Sequence, residues 1–182
     1  TSKFLSHLTY TRTMSPQQTP LCAWAMMAAR DALAEQHPAL LRPLGGRLRD
    51  EALWGADFLV RFRAPEGYFY TGIFDALTKR LDERVITAPL AECVRTDGYQ
   101  AAYRQGGGLA IAALARASTL DDDGDLSRGD YLAAARQGFA YLEEHNLEHL
   151  DDHAETVVDD YCALLAAAEL TAAGVDDDVV RA

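Results

Sequence analysis

The stretch GYQAAYRQGGGLAIAALARAS, residues 98–118, decides the fold class. From Leu109 to Ala117 it is apolar almost all round, broken only by Arg116. A helix with that pattern is buried on several sides at once, so other helices must surround it. The three glycines at 106–108 do not make a phosphate loop. Such a loop spreads its glycines through a strand-to-helix turn and follows them with Lys and Ser or Thr, whereas Leu-Ala-Ile follows here. In a free helix three glycines cost about 2–3 kcal/mol relative to alanine. The expectation is therefore close backbone approach: without Cβ atoms, another helix or a ligand can lie directly on the main chain.

Working outward, helical periodicity dominates. Residues 20–37 predict a helix with Thr19 as N-cap, Pro20 at its first position and Pro38 closing it. Leu48, Ala52, Ala56, Leu59 and Val60 predict a second, ended by Pro65 and Gly67. The stretch around 98–118 is the third, with Tyr99 and Tyr103 on one face at i, i+4. Tyr131, Ala135, Phe139 and Leu142 form the apolar stripe of a fourth, with Glu143 and Glu144 facing out. The fifth, through VVDDYCALLAAAEL (157–170), ends at Gly174. Between the second and third, YFYTGIFD alternates and is rich in β-formers, so residues 68–75 read as a short extended segment. The expected fold is all-α: five long helices in one domain over 1–182, arranged as inner and outer helices of an α/α toroid. Five helices are too few to close such a ring.

Charge and composition exclude several classes. The net charge is −11, with 28 acidic against 17 basic residues, which repels a phosphate backbone or an anionic membrane. No apolar run approaches the length of a spanning helix. Cys22, Cys93 and Cys162 form no CxxC and no zinc spacing. They read as buried free thiols, pointing to a reducing, cytoplasmic compartment.

Few residues carry a chemical signature. Asp121, Asp123 and Asp125 invite a calcium reading, but an EF-hand needs Gly at its sixth place and Glu at its twelfth. Leu126 and Leu132 stand there, leaving a solvated acidic loop. His145, His149 and His153 follow i, i+4, i+8 spacing, yet Asn146 and the acidic LDDH predict a helix end between them, so no metal site is expected. Asp159 and Asp160 sit side by side in an apolar helix. Adjacent positions point about 100° apart, so one must turn inward, where Tyr103 or Arg104 could partner it. Tyr68, Phe69, Tyr70 and Phe74 gather rings that suit sugar faces.

SKFLSHLTYTRTMSPQQTPL (2–21), ALWGADFLVRF (52–62), YRQGGGLAIAALARAS (103–118) and VVDDYCALLAAAEL (157–170) occur in this order. Together they resemble glycoside hydrolase family 9, closest to its bacterial endoglucanase-related branch of exo-acting β-glucosidases and β-glucosaminidases. The resemblance implies part of an (α/α)6 barrel and inverting hydrolysis of β-linked sugars without a cofactor. Such chemistry needs a carboxylate base and a carboxylic acid about 6.5–9.5 Å apart. In the family the base comes from an Asp-Ala-(Ser)-Gly-Asp motif just before the segment resembling SKFLSHL, and the acid is a Glu near the far end of the barrel. No Asp-Ala-Gly-Asp occurs in these 182 residues, and Glu155 and Glu169 lack a matching context. The expectation is an internal fragment of a catalytic domain, inactive alone, with no catalytic residue of its own.

On that reading Tyr68, Tyr70, Asp75, Tyr103, Arg104 and Asp160 line sugar subsites and the partner is a β-linked oligosaccharide. Tyr and Arg would stack on or hydrogen-bond the sugar, and Asp would hold a hydroxyl or amino group. An incomplete barrel would also expose inner-helix faces such as 109–115 and self-associate through them. The alternative is a non-catalytic helical carbohydrate-binding or assembly module of the same lineage. A third reading, an α/α-toroid epimerase or lyase, would rest on His7 with Tyr10 as base.

Overall fold

The computed structural model describes residues 18–74, 85–86, 88–89, 95–96, 98–176 and 180. Within them the chain is all-α, with five α-helices: α1 Gln18–Gln36, α2 Pro38–Arg61, α3 Gly107–Ala117, α4 Arg128–His145 and α5 Val157–Ala172. Two 3-10 turns, Tyr103–Gln105 and Asn146–His149, precede α3 and follow α4. Two-residue strands pair antiparallel: β1 Ile73–Phe74 with β2 Val85–Ile86, and β3 Ala88–Pro89 with β4 Arg95–Thr96.

The apolar helix is the centre, as its pattern requires. α3 packs against α1, α2, α4 and α5, and Ala110 through Ala115 are all buried. This corrects the expectation of an exposed inner face at 109–115, because α1, α4 and α5 already cover it. Exposed large apolar side chains lie elsewhere, on α2 at Leu40, Leu44 and Trp54 and on α5 at Val157, Tyr161 and Leu164.

Close approach explains the glycines. A Cβ on Gly108 would lie 2.7 Å from the Cys162 carbonyl oxygen, so α3 and α5 touch backbone to backbone. A Cβ on Gly107 would meet the Leu142 side chain at 2.7 Å. Gly106 has φ +119° and reverses the chain between the 3-10 turn and α3, a conformation costly for residues with a Cβ. The third helix therefore starts at Gly107, nine residues later than the pattern suggested. Tyr99 lies in an extended segment, so Tyr99 and Tyr103 do not share a helix face.

The α1–α2 junction is also corrected. Pro38 opens α2 rather than merely closing α1, since a proline at the first helical position gives up an N–H that has no partner anyway. Only His37 separates the two helices, and α2 then runs through Pro43, Gly45 and Gly46. Small residues bring α1 and α2 together: a Cβ on Gly55 would sit 3.1 Å from Cβ of Ala23, beside buried Ala52 and Ala56.

Capping boxes begin α4 and α5. The Ser127 hydroxyl accepts from the Asp130 N–H while Asp130 accepts from the Ser127 N–H; at α5 the Thr156 hydroxyl accepts from the Val158 N–H while Asp159 accepts from the Thr156 N–H. The acidic loop between α3 and α4 hangs on Asp57, a buried carboxylate of α2. It accepts from the Asp125 and Leu126 N–H groups and from the Tyr131 hydroxyl, at 2.8, 3.0 and 2.7 Å. The loop is thus anchored to Asp57, while Asp121, Asp123 and Asp125 themselves are exposed, matching the expected solvated acidic loop. Cys22 and Cys162 are free thiols; Cys93 lies outside the described residues.

Candidate functional site

The N-terminal ends of α3 and α5 and the C-terminal end of α4 meet at one end of the helix layer, together with the extended segment around 68–71. Backbone pairing fixes that segment on both sides. The Tyr70 N–H donates to Phe62, the Ala101 N–H to Phe69 and the Thr71 N–H to Tyr99. The expected extended stretch is therefore present from Phe69 to Phe74, and its pairing with 99–101 places Tyr68, Tyr70 and Tyr99 side by side.

These rings form a continuous patch with side chains from the end of α4. Tyr68 is its hub. Its ring centroid lies 5.5 Å from Tyr70 (edge-on), 6.4 Å from Tyr99, 5.6 Å from Tyr141 and 6.2 Å from His149. Tyr141 stacks on His149 at 5.6 Å with planes 10° apart, and its other neighbour is His145 at 4.5 Å. Tyr68, Tyr70, Tyr99, Tyr141 and His149 are all half-buried, so each keeps some ring surface open. Such contacts stabilise by about 0.5–1.5 kcal/mol each beyond their buried area.

Electrostatics at the patch favour neutral rings. Burial, then the phenols of Tyr70 and Tyr99 and the Glu66 carboxylate, push the Tyr68 hydroxyl up to about 12. Burial, then Glu148 and Glu66, raise Tyr141. Burial lowers His149, with Glu148 pulling the other way and His145 adding to the decrease. The His149 Nε2 and the Tyr141 hydroxyl are 3.1 Å apart and share a hydrogen bond, while His145 Nδ1 lies 3.1 Å from Glu148.

Beside the rings runs a hydrogen-bonded network centred on the 3-10 turn before α3. Tyr103 is buried against Phe139 and its hydroxyl donates to Glu143 at 2.6 Å; burial and that carboxylate raise its ionisation well above the ordinary phenol. The Tyr103 N–H donates to Asn146, whose amide donates to Glu155. Arg104 spans the loop before α5. It pairs with Asp159 at 3.0 Å and Asp152 at 2.7 Å and donates to the Ala154 carbonyl.

This resolves the adjacent carboxylates. Asp159 turns inward, is 2% exposed, caps α5 and pairs with Arg104. Asp160 faces solvent, so of the two it is not the one directed into the fold. Of the six expected sugar-contacting residues, Tyr68 and Tyr70 sit in the patch, and Tyr103 and Arg104 in the adjoining network. Tyr103 offers little open surface. Asp75 lies outside the described residues.

Four acids of this end already have partners. Glu143 takes the Tyr103 hydroxyl, Glu155 the Asn146 amide, and Asp152 and Asp159 hold Arg104. The arrangement can bind, through flat rings with polar edges, more readily than it can move protons. No group of three or more His, Cys, Asp or Glu among the described residues could hold a metal. His145 and His149 serve the ring patch, with the helix ending at His145 as expected. No described helix is long and apolar enough to cross a membrane.

Tyr141 had no individual signal in the sequence, and Tyr99 was expected on a helix face with Tyr103 rather than beside Tyr68. The i, i+4 spacing of His145 and His149 marked a shared face, but its partner is tyrosine rather than metal. No protein-family model matches this chain, and no curated protein matches it.

Proposed function

We propose that this chain is a carbohydrate-binding portion of an inverting glycoside hydrolase of the family 9 type, acting on β-linked glucosides or glucosaminides. Its helices would form part of an (α/α)6 barrel, and its free thiols suit a cytoplasmic location. The observation that carries the reading is the tyrosine patch of Tyr68, Tyr70, Tyr99 and Tyr141, beside the Arg104 network. Sugar rings present CH faces that stack on aromatic rings and hydroxyls that bond to polar edges. The segment resemblance around 103–118 and 157–170 supports the same assignment. The partners already held by Glu143, Glu155, Asp152 and Asp159 favour a second version, a module that binds sugar without hydrolysing it.

Calorimetric titration with cellobiose and with the β-1,4-linked glucosamine disaccharide tests the reading. Binding of either, weakened tenfold or more (about 1.4 kcal/mol) by Tyr68→Ala, is the expected result. No heat with either sugar, at protein concentrations sufficient for millimolar affinity, would refute it. Release of p-nitrophenol from its β-glucoside by this chain alone would reject the non-catalytic version.

A further inference from the structure

The tyrosine patch contains a titratable group that ring-binding alone does not require. His149 ends the 3-10 turn after α4 and is half-buried in the patch. Its ring is held on three sides: parallel to Tyr141, edge-on to Tyr68, and 6.5 Å from the ring of His145. Its Nε2 shares a hydrogen bond with the Tyr141 hydroxyl. The charged and titratable groups around it come from every described element packed there. They are Tyr141, Glu144 and His145 of α4, Glu148 of the 3-10 turn, Glu66 and Tyr68 of the preceding loop, and Tyr70 and Tyr99 of the paired segments.

We propose that His149 is a proton-sensitive latch on the tyrosine patch, holding Tyr141 and Tyr68 in register when neutral and loosening them when protonated. The latch rests on the patch being the ligand-binding surface proposed above. A neutral imidazole can accept the Tyr141 hydroxyl proton at Nε2. An imidazolium has donors on both nitrogens, so the Tyr141 hydroxyl must turn its proton elsewhere. Protonation also places a cation in a half-desolvated ring cluster beside His145, which is itself drawn towards Glu148 and Glu144. Glu148 offsets part of this, but its carboxylate is already 3.1 Å from His145 Nδ1.

The sign is set by burial. A histidine held below its ordinary 6.5 in the fold favours the neutral form. Its contribution is fully present above pH 6.5 and is lost as pH falls through the folded value. If only the neutral form is binding-competent, the apparent Kd doubles at half-protonation and is about tenfold higher one pH unit below it.

The test uses the whole chain with histidine ring signals followed by NMR from pH 8 to 4.5, alongside cellobiose titrations at both ends of that range. The expected result is a His149 midpoint below that of an exposed histidine. Tyr141 and Tyr68 ring signals should move with the same midpoint, and cellobiose affinity should fall with it. His149→Gln, which keeps a polar side chain without a titrating charge, should remove the shared midpoint, whereas His145→Gln should leave it. Tyrosine signals that ignore the His149 midpoint, or a pH dependence that survives in His149→Gln, would overturn the latch. If cellobiose binds at no pH, the function proposed above fails, while the tyrosine signals still decide for or against the latch.

Discussion

Adding one methyl group at Gly108 tests the central packing claim. In Gly108→Ala the new Cβ lies 2.7 Å from the Cys162 carbonyl oxygen, 2.9 Å from its Cβ and 3.0 Å from its carbonyl carbon. Ordinary van der Waals contact begins near 3.4 Å, so the overlap exceeds half an ångström. Two of these three atoms belong to the α5 backbone and cannot rotate aside. Overpacking of this kind costs about 1–3 kcal/mol. Alanine returns at most about 1 kcal/mol through its better helix propensity. Because backbone atoms cannot yield, the upper part of the overpacking range, about 2–3 kcal/mol, applies, and a net loss of about 1–2 kcal/mol remains, which for a chain of this size lowers Tm by about 2–8 °C. Gly46→Ala is the matched control: it lies inside α2, and its new Cβ would meet nothing within 4 Å. It carries the same propensity gain without the clash and should raise Tm by about 2–4 °C. Differential scanning calorimetry of both variants reads the two signs. A Gly108→Ala chain as stable as the parent would refute the backbone-to-backbone contact between α3 and α5, and with it the explanation of the triple glycine.

Three further outcomes follow from the same structure. Asp57→Asn replaces one of two accepting oxygens by an amide that faces N–H and O–H donors, and should cost about 2–3 kcal/mol; urea unfolding measures it, and amide exchange should quicken first at residues 124–126. Arg104→Met leaves the buried Asp159 with its capping bonds and the backbone N–H of residue 104, and should cost about 1–3 kcal/mol, less than a fully buried pair because Arg104 is 20% exposed. Denaturant midpoints of Arg104→Met and Asp159→Asn, singly and together, would show strong non-additivity if the ion pair is real. Tyr68 ionises near 10 when unfolded and at about 12 in the fold, so the neutral phenol is the favoured form. Its stabilising contribution is present below pH 10 and is lost as pH rises towards about 12, and a phenolate absorbance titration of Tyr68→Phe against the parent should lack that late-titrating group.

Much of the architecture was legible because it depends on one-dimensional patterns. The all-round apolarity of 109–117 required a central helix, and the stripe Tyr131, Ala135, Phe139 and Leu142 required an amphipathic one packed on it; the stripe and Ala110 through Ala115 are buried. The Ser127-Asp130 and Thr156-Asp159 spacings specify their own helix starts, because each pair satisfies two local N–H groups. The start of α3 was not legible. The glycines announced a close backbone approach, but that α5 is the element lying on Gly108, and that the helix begins only after the left-handed Gly106, is not recorded in local periodicity.

For the candidate site the division is sharper. Sequence alone determined that rings and charges of the right chemistry exist near 68–70, 103–104 and 159–160. Only the tertiary structure decided which of them meet. Adjacent carboxylates on a helix must diverge, but which one turns inward depends on where Arg104 lies, and Arg104 is carried by a different element. Tyr99, Tyr141 and His149 join Tyr68 because strand pairing at 69–71 with 99–101 and the end of α4 converge on the same spot. Helical period and β-propensity are properties of neighbours along the chain; a surface built from three separate segments is a property of how they pack.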